Sequence, residues 1–175
     1  MLYFAHMAAL SKTDIERLLH AKPPLIEGWL DLGAQLQPNG FDITLRDVSG
    51  LKSAGTIAVA NSARKLPDVG PIEFDGQEFV DLRPGAYMIT YNEIVHLPTN
   101  VMALARPRST LLRCGVDIGT AVWDAGYSGR SQSLLIVHNP AGFRLQKDAR
   151  VAQLVFFYLS SATEGYKGKY QGENL

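Results

Sequence analysis

The sequence of 175 residues has a single cysteine, no excess of either charge and no long apolar run. Because Cys114 has no second cysteine to pair with, the chain can form no internal disulfide and no cysteine-based zinc cluster. Lys plus Arg and Asp plus Glu both number 17, so nothing indicates a nucleic-acid partner, which would favour a basic surface. No run reaches the roughly 18 apolar residues that span a bilayer, and the opening MLYFAHMAAL lacks the basic start of a signal peptide. We therefore expect a cytoplasmic protein with no nucleic-acid or membrane partner.

Several familiar catalytic patterns are also missing from the chain. The four histidines, at positions 6, 20, 96 and 138, are isolated and lack the spacing of metal ligands. The phosphate-binding pattern GxxxxGK[ST] does not occur, and neither does the His-x-Glu with paired cysteines of zinc deaminases. Any nucleotide chemistry in this protein must therefore use another kind of site.

Short apolar segments separated by turn residues predict a mainly β fold. After residue 38, runs rich in β-branched and aromatic residues alternate with clusters of Gly, Pro, Asn and Asp. A distorted antiparallel β-barrel or jelly roll is the expected architecture, because no helical pattern separates the runs. The predicted strands are FDITL (41–45), TIAVA (56–60), AYMITY (86–91), VMALA (101–105), SLLIVHN (133–139) and AQLVFFYL (152–159).

We expect one domain over residues 1–175, which is long enough to bury a core. A short N-terminal helix is predicted over 11–22, with the T-x-x-E spacing of a capping box from Thr13. The β core is predicted over 39–160. The glycine-rich polar tail, 161–175, is predicted to be a mobile segment.

The sharpest polar cluster is WDAGYSGR, residues 123–130. Its two glycines permit a tight turn and a close backbone approach to a ligand. Tyr127 offers a flat face for a sugar or a base, and Asp124 is the natural candidate to activate a water molecule. An ordinary hairpin turn would give the same pattern.

A second cluster places two arginines and two hydroxyls within six residues, 108–113. The guanidinium groups of Arg108 and Arg113 are suited to bidentate bonds with phosphate oxygens. The hydroxyls of Ser109 and Thr110, with turn amides, are suited to a second phosphate. A solvated strand end is the alternative interpretation.

Two weaker signals lie on either side of these clusters. Asp42 either positions a metal-bound water or a neighbouring strand, or bonds its own backbone in a turn. Arg150 and Gln153 either meet the same anion, or Arg150 pairs with Asp148. Together the clusters predict a site for a polyphosphate with a single general base.

In this order, the clusters resemble the motifs of the dUTPase and dCTP deaminase superfamily, above all those of the archaeal-type dUTPases. The resemblance covers residues 39–173 and rests on QPNGFDITL, ARPRSTLLRCG, TAVWDAGYSGR, DARVAQLVF and GYKGKYQGE. It implies a distorted β-barrel or jelly roll that assembles as a homotrimer, with active sites at the subunit interfaces. It also implies dUTP as the substrate and Mg²⁺ as the cofactor.

The resemblance further implies a role for individual residues. Asp124 would activate the water that attacks the α-phosphorus, and Tyr127 would pack on the deoxyribose and leave no room for a 2′-hydroxyl. Mg²⁺ would be held mainly by phosphates and water, with Asp42 in an outer-sphere position. The implied residues that contact the pyrimidine, bind the phosphates or close over the nucleotide are Ala121, Val122, Arg108, Ser109, Thr110, Arg113, Arg150, Gln153, Lys169, Tyr170 and Gln171.

The chain departs from the family patterns at two places. Its tail resembles the deaminase tail KYQGQ, with Glu173 at the last position, and not the glycine-rich tail of bacterial and eukaryotic dUTPases. The deaminases have a glutamate ten residues after the aspartate that Asp124 matches, where this chain has Leu134. We therefore expect a dUTP diphosphatase that releases dUMP and pyrophosphate. A dCTP deaminase, a bifunctional enzyme and a catalytically silent nucleotide-binding trimer are the alternatives.

Overall fold

The computed structural model describes residues 8–175. It confirms the prediction of a mainly β, barrel-like fold with a short N-terminal helix. No helix within this range is both long and apolar enough to cross a membrane. The helices are α1 (Lys12–Leu19), α2 (Leu32–Gln35) and α3 (Ser109–Arg113), with a 3₁₀ turn at Asn61–Ala63. The strands are β1 (Ile26–Glu27), β2 (Leu36–Gln37), β3 (Gly40–Leu51), β4 (Val69–Pro71), β5 (Phe79–Leu82), β6 (Gly85–Tyr91), β7 (Ile94–His96), β8 (Val101–Pro107), β9 (Val116–Gly119), β10 (Ser128–Gly129), β11 (Gln132–Val137), β12 (Phe143–Gln146) and β13 (Arg150–Tyr158).

Helix α1 is shorter than predicted, and its cap lies at a different residue. The capping box begins at Ser11 and not at Thr13, because the Ser11 hydroxyl accepts the Asp14 N–H at 3.3 Å while Asp14 accepts the Ser11 N–H at 3.2 Å. The helix ends at Leu19 and does not reach Lys22. A residue that precedes a proline is disfavoured in the helical region, which explains why Lys22 lies outside the helix.

Five of the six predicted strands correspond to β3, β6, β8, β11 and β13, although 133–139 ends two residues after β11 and 152–159 ends one residue after β13. The prediction of a strand at 56–60 is wrong, because only Thr56 forms a bridge there, to Lys65, and Ile57 is 83% exposed. β-Branched residues favour a strand only where a sheet offers neighbours to pack against. Helices α2 and α3 were not predicted, because four or five residues are too few to show a helical period.

The main sheet is antiparallel and nearly closes on itself. Its strands follow the order β8-β13-β3-β6-β11-β9, with β2 and β4 also paired to β3. Ala103 on the edge strand β8 pairs with Trp123, four residues beyond the other edge strand, β9. This pairing brings the two edges together, so the loop between β9 and β10 lies against β8. Smaller sheets are formed by β1-β7-β10 and β12-β5.

The centre of the barrel is built on β3 and β13. Phe41 and Ile43 on β3 and Leu154 and Phe156 on β13 are all at most 1% exposed. Residues of one strand alternate between its two faces, so the residues that alternate with Phe41 and Ile43 on β3 point to the opposite side. Those residues are polar and are also buried, and they include Asp42. The inward-facing apolar residues therefore hold in place a strand that carries a predicted site residue on its other face.

A buried polar cluster fixes the surroundings of β3. The carboxylate of Glu93 accepts hydrogen bonds from the backbone N–H of Thr44 at 2.9 Å, from the Thr44 hydroxyl at 2.7 Å and from the Gln35 amide at 2.6 Å. Burial raises the pKa of Glu93, while these donors lower it. The cluster ties α2 and the segment after β6 to β3, close to Asp42.

Candidate functional site

A cavity of about 450 Å³ opens beside the loop between β9 and β10. This volume lies in the range of small-molecule sites in proteins. The cavity brings together five of the residues predicted from the sequence, which are Ala121, Val122, Asp124, Tyr127 and Tyr170. The remaining lining residues are Leu66, Met88, Trp123, Ser131, Gln132, Tyr166 and Glu173.

Asp124 lies on a loop whose backbone is fixed on both sides. Trp123 exchanges backbone hydrogen bonds with Ala103 at 2.9 and 3.0 Å, and the Asp124 carbonyl accepts the N–H of Tyr127 at 3.1 Å. The Trp123 indole also donates to the hydroxyl of Ser131 at 2.9 Å. The Asp124 side chain is exposed, and among the described residues its carboxylate has no ion pair or hydrogen bond. It is therefore free to accept a proton from a water molecule in the cavity.

Tyr127 is 5% exposed and is held by residues of the C-terminal segment. Its hydroxyl donates to the Glu173 carboxylate at 2.9 Å, and its ring meets the Tyr166 ring edge-on at 5.9 Å between centroids. Burial raises the pKa of Tyr127 and that of Glu173. Glu173 was not predicted as a site residue, because its contact with Tyr127 joins positions 46 residues apart.

The C-terminal segment, residues 161–175, packs on its own chain beside the cavity. The Gln171 side chain donates to the Gly126 carbonyl and accepts the Ser128 N–H, both at 3.1 Å. The Arg130 N–H donates to the Glu173 carbonyl at 2.9 Å. Gln171, predicted to contact the nucleotide, thus tethers the segment to the loop, and the predicted mobility of the segment stays a prediction.

The tail residue Lys169 lies next to the cavity but does not line it. Its ammonium group sits 5.9 Å from the centre of the Tyr170 ring, a distance at which a cation and an aromatic face attract each other. Lys169 is exposed, whereas Tyr170 is partly buried and lines the cavity. The lysine is therefore available to an anion bound at the cavity mouth.

A second group of predicted residues surrounds Asp42. The Asp42 carboxylate is 2% exposed and pairs with Arg108 at 3.0 Å and with Arg150 at 3.2 Å. Asp42 lies within β3, opposite Gln153, so the interpretation as a turn aspartate is wrong. The alternative pairing of Arg150 with Asp148 is also wrong, because Arg150 pairs with Asp42 instead.

The electrostatics of Asp42 reflect its burial between two positive charges. Burial raises its pKa, while Arg108 and Arg150 lower it. About a third of each arginine side chain stays exposed, 31% for Arg108 and 33% for Arg150. Asp42 therefore positions two guanidinium groups that still face solvent.

The residues that follow Arg108 form α3 and not the turn expected from the sequence. Ser109 and Thr110 open this helix and are exposed. The Arg113 guanidinium donates to the Ser109 carbonyl at 3.1 Å. Ser109 and Thr110 are therefore exposed directly after Arg108, while Arg113 is turned back on its own helix.

The Asp42 group and the cavity lie apart within one chain. Trp123, next to Asp124, pairs with Ala103, and Arg108 follows five residues further along the extended β8 segment. At about 3.4 Å per residue, this separation is roughly 17 Å. One chain therefore does not bring Asp124 and Arg108 into contact.

No three His, Cys, Asp or Glu side chains within residues 8–175 are arranged to hold a metal ion. In particular, Asp124 and Glu173 are the only acidic side chains among the residues that line the cavity. A cation in this cavity would need most of its ligands from another molecule.

Comparison with known proteins identifies the family. The model of the dCTP deaminase-like family matches residues 9–159, and the chain belongs to that family. A Methanosarcina mazei protein named "Probable deoxyuridine 5'-triphosphate nucleotidohydrolase" is 48% identical over 169 residues, which cover 96% of this chain and 99% of the relative. An Archaeoglobus fulgidus protein of the same name is 50% identical, over 97% of this chain and 99% of the relative.

A solved structure has the same fold. The 2′-deoxycytidine 5′-triphosphate deaminase from Agrobacterium tumefaciens matches 87% of this chain with a TM-score of 0.65 and 18% identity. The match covers 48% of the deaminase chain. The resemblance inferred from the five motifs is confirmed.

Replacing Asp42 with asparagine should destabilise the protein, because it removes the negative charge between two guanidinium groups. We expect the free energy of unfolding to fall by about 1–3 kcal/mol, the effect of losing a charged hydrogen-bond partner. Urea denaturation of Asp42→Asn measures the loss. Asp47→Asn is the matched control on the same strand, because Asp47 is 60% exposed and, within residues 8–175, pairs only with Arg46; it should change stability by no more than about 0.5 kcal/mol. Equal effects of the two variants would contradict the role given to Asp42.

Proposed function

We propose that this protein is a dUTP diphosphatase, which converts dUTP and water to dUMP and pyrophosphate. The observation that carries the proposal is the cavity that the buried ring of Tyr127 shares with Asp124, whose exposed carboxylate has no partner within residues 8–175. Relatives that are 48–50% identical over nearly their whole length bear the name of this activity. Both observations point to one substrate and one general base.

In the proposed reaction, Asp124 accepts a proton from a water molecule as that water attacks the α-phosphorus. A bond forms between the water oxygen and the α-phosphorus, and the bond from this phosphorus to the oxygen shared with the β-phosphorus breaks. Pyrophosphate leaves with that oxygen, so dUMP keeps the α-phosphate. Tyr127 packs on the deoxyribose, and the backbone at Ala121 and Val122 contacts the uracil.

The phosphate-binding residues are proposed to come from a neighbouring subunit. Arg108 lies roughly 17 Å along β8 from the residue that pairs with Trp123, while its guanidinium and the hydroxyls of Ser109 and Thr110 face solvent. Such a surface completes the cavity of the next chain if copies repeat around a closed ring. In that arrangement Arg108, Gln153 and Arg150 stabilise the charge that develops on the phosphates.

An exposed apolar patch on the barrel supports contact between subunits, as the proposed homotrimer requires. On the outer faces of β8 and β13, Leu104 lies opposite Val155 and Met102 lies opposite Phe157. Leu104 is 41% exposed, and the other three are partly exposed. A contiguous apolar patch on a protein surface favours contact with another protein. The patch lies on the same two strands as Gln153, and Arg108 directly follows β8.

Mg²⁺ is proposed to arrive with the nucleotide. Because the cavity offers only two carboxylates among its described residues, the ion would be bound chiefly by phosphate oxygens and water, as is common for Mg²⁺. When bound, it offsets the negative charge of the leaving pyrophosphate. Asp124 is the nearest candidate for a protein contact through water, since Asp42 is occupied by two arginines.

Deamination of dCTP is the main alternative, and residue 134 argues against it. Leu134 pairs with Gly119 and Met88 in the sheet and can neither take nor give a proton. No Asp or Glu occurs from Ala125 to Lys147. A catalytically silent nucleotide-binding trimer, the third possibility, is disfavoured because Asp124 is retained and open to the cavity.

Replacing Asp124 with asparagine should abolish most turnover while leaving nucleotide binding intact. Loss of a general base typically lowers kcat by ~10²–10⁴-fold, and the amide keeps the size of the side chain. Pyrophosphate release from Mg²⁺–dUTP measures turnover, and calorimetric titration with dUMP measures binding. Asp117→Asn on β9, another exposed aspartate, should retain full turnover. A near wild-type kcat in Asp124→Asn would remove Asp124 from the mechanism.

Incubation with dCTP should release no ammonia, even at high enzyme concentration, because no described side chain replaces the missing glutamate at position 134. The test resolves the products from dUTP, dCTP and dTTP by chromatography in the presence of Mg²⁺. Of these three nucleotides, only dUTP is expected to give dUMP. Robust formation of dUMP or dUTP from dCTP would contradict the assignment of a single activity.

A further inference from the structure

Glu173 is the one acidic residue of the cavity that the proposed reaction does not use. It comes from the C-terminal segment, whereas Asp124 comes from the loop between β9 and β10. Its carboxylate accepts the Tyr127 hydroxyl at 2.9 Å. Glu173 therefore acts on the cavity through the tyrosine ring.

The backbone on both sides of Glu173 is anchored, so its side chain starts from a fixed point. The Gly172 N–H donates to the Ser128 carbonyl at 2.7 Å, and the Arg130 N–H donates to the Glu173 carbonyl at 2.9 Å. The side-chain amide of Asn174 donates to the Arg130 carbonyl at 2.9 Å. These bonds extend the pairing of the segment along β10 and hold the carboxylate within reach of Tyr127.

The ring of Tyr127 is confined on its other sides as well. A Cβ atom at Gly129 would lie 2.7 Å from the Tyr127 hydroxyl oxygen, so the ring end rests directly on this glycine. Tyr166 meets the ring edge-on, with 71° between the ring planes. The contacts with Gly129 and Tyr166 limit movement of the ring across its plane, while Glu173 fixes its hydroxyl end.

The hydrogen bond has one direction. Burial raises the pKa of Tyr127, so its phenol keeps its proton at neutral pH and acts as the donor. Glu173 acts as the acceptor, and either a carboxylate or a neutral amide oxygen at this position fulfils that role. A glutamine should therefore preserve the bond, whereas an alanine should remove it.

We propose that Glu173 is a positioning residue that sets the selectivity for deoxyribose over ribose, by holding Tyr127 where a 2′-hydroxyl would clash. This inference rests on the proposed function, in which Tyr127 packs on the deoxyribose. A tyrosine ring that could shift would move aside and accommodate the 2′-hydroxyl of a ribonucleotide. The Tyr127 ring is held at its hydroxyl, at Gly129 and at Tyr166, so it excludes that hydroxyl.

The test compares kcat/KM for dUTP and for UTP, with Mg²⁺, in the wild type and five variants. Glu173→Ala and Tyr127→Phe each remove the hydrogen bond and should lower the dUTP-to-UTP ratio by roughly 2- to 10-fold, the effect of one ordinary hydrogen bond. Glu173→Gln should restore the ratio. Glu164→Ala is the matched control in the same segment, because Glu164 is exposed and, among the described residues, its side chain bonds only to Lys167; it should leave the ratio unchanged.

Because both single changes remove the same bond, the double variant Glu173→Ala/Tyr127→Phe should lower the ratio no further than either alone. A role of Glu173 confined to fastening the segment would lower kcat/KM for both nucleotides equally. An unchanged ratio in Glu173→Ala, with dUTP still hydrolysed by the wild type, overturns the inference alone. Circular dichroism and thermal unfolding establish that each variant is folded.

A wild type that does not hydrolyse dUTP overturns the proposed function instead. In that case the selectivity is read from binding, as the affinity for dUMP relative to UMP in calorimetric titrations of the same variants. A smaller dUMP preference in Glu173→Ala than in Glu173→Gln supports the inference, and equal preferences overturn it.

Discussion

Two backbone hydrogen bonds between Ala103 and Trp123 determine the geometry of the whole site. They join the two edges of the main sheet, so the barrel nearly closes and the loop that bears Asp124 is fixed against β8. The same pairing sets the position of Asp124 along β8, roughly 17 Å from Arg108. The closure of the barrel thus creates the cavity that we propose for the nucleoside and, by the same contact, keeps Arg108 of that chain away from it.

The two aspartates of the site show how burial separates chemical roles. Asp42 is buried between two guanidinium groups, so its charge is used to position Arg108 and Arg150. Asp124 is exposed and unpaired among the described residues, so its carboxylate remains available to a water molecule. An anion-binding site needs arginines that are held in place but whose positive charge is not fully neutralised. A buried carboxylate with partly exposed arginines fits the phosphate site that we propose, because only the arginines remain exposed to solvent.

The sequence predicted the residues that depend on local patterns. The glycines that flank Tyr127 marked a tight turn, and Asp124 stands out as the only acid in the cluster. The prediction of a strand at 56–60 was wrong because the β-branched residues there have no neighbouring strand, and the position of neighbouring strands depends on the tertiary fold. Glu173 was missed as a site residue for a related reason: its contact with Tyr127 exists only after the C-terminal segment has packed on β10. The pairing of Asp42 with Arg108 and Arg150 likewise required the register of β3 with β13.

In the proposed assembly, each active site combines the cavity of one subunit with Arg108 and Arg150 of another. The most direct test mixes two inactive variants, Asp124→Asn and Arg108→Ala, after denaturation and refolding together. If sites are shared, an equal mixture should recover about a quarter of the wild-type turnover, because random assembly into a ring pairs two intact halves at one site in four. Each variant refolded alone supplies the baseline. Turnover of the mixture no higher than the mean of the two baselines, with mixed assemblies demonstrated by mass spectrometry, would contradict the shared site.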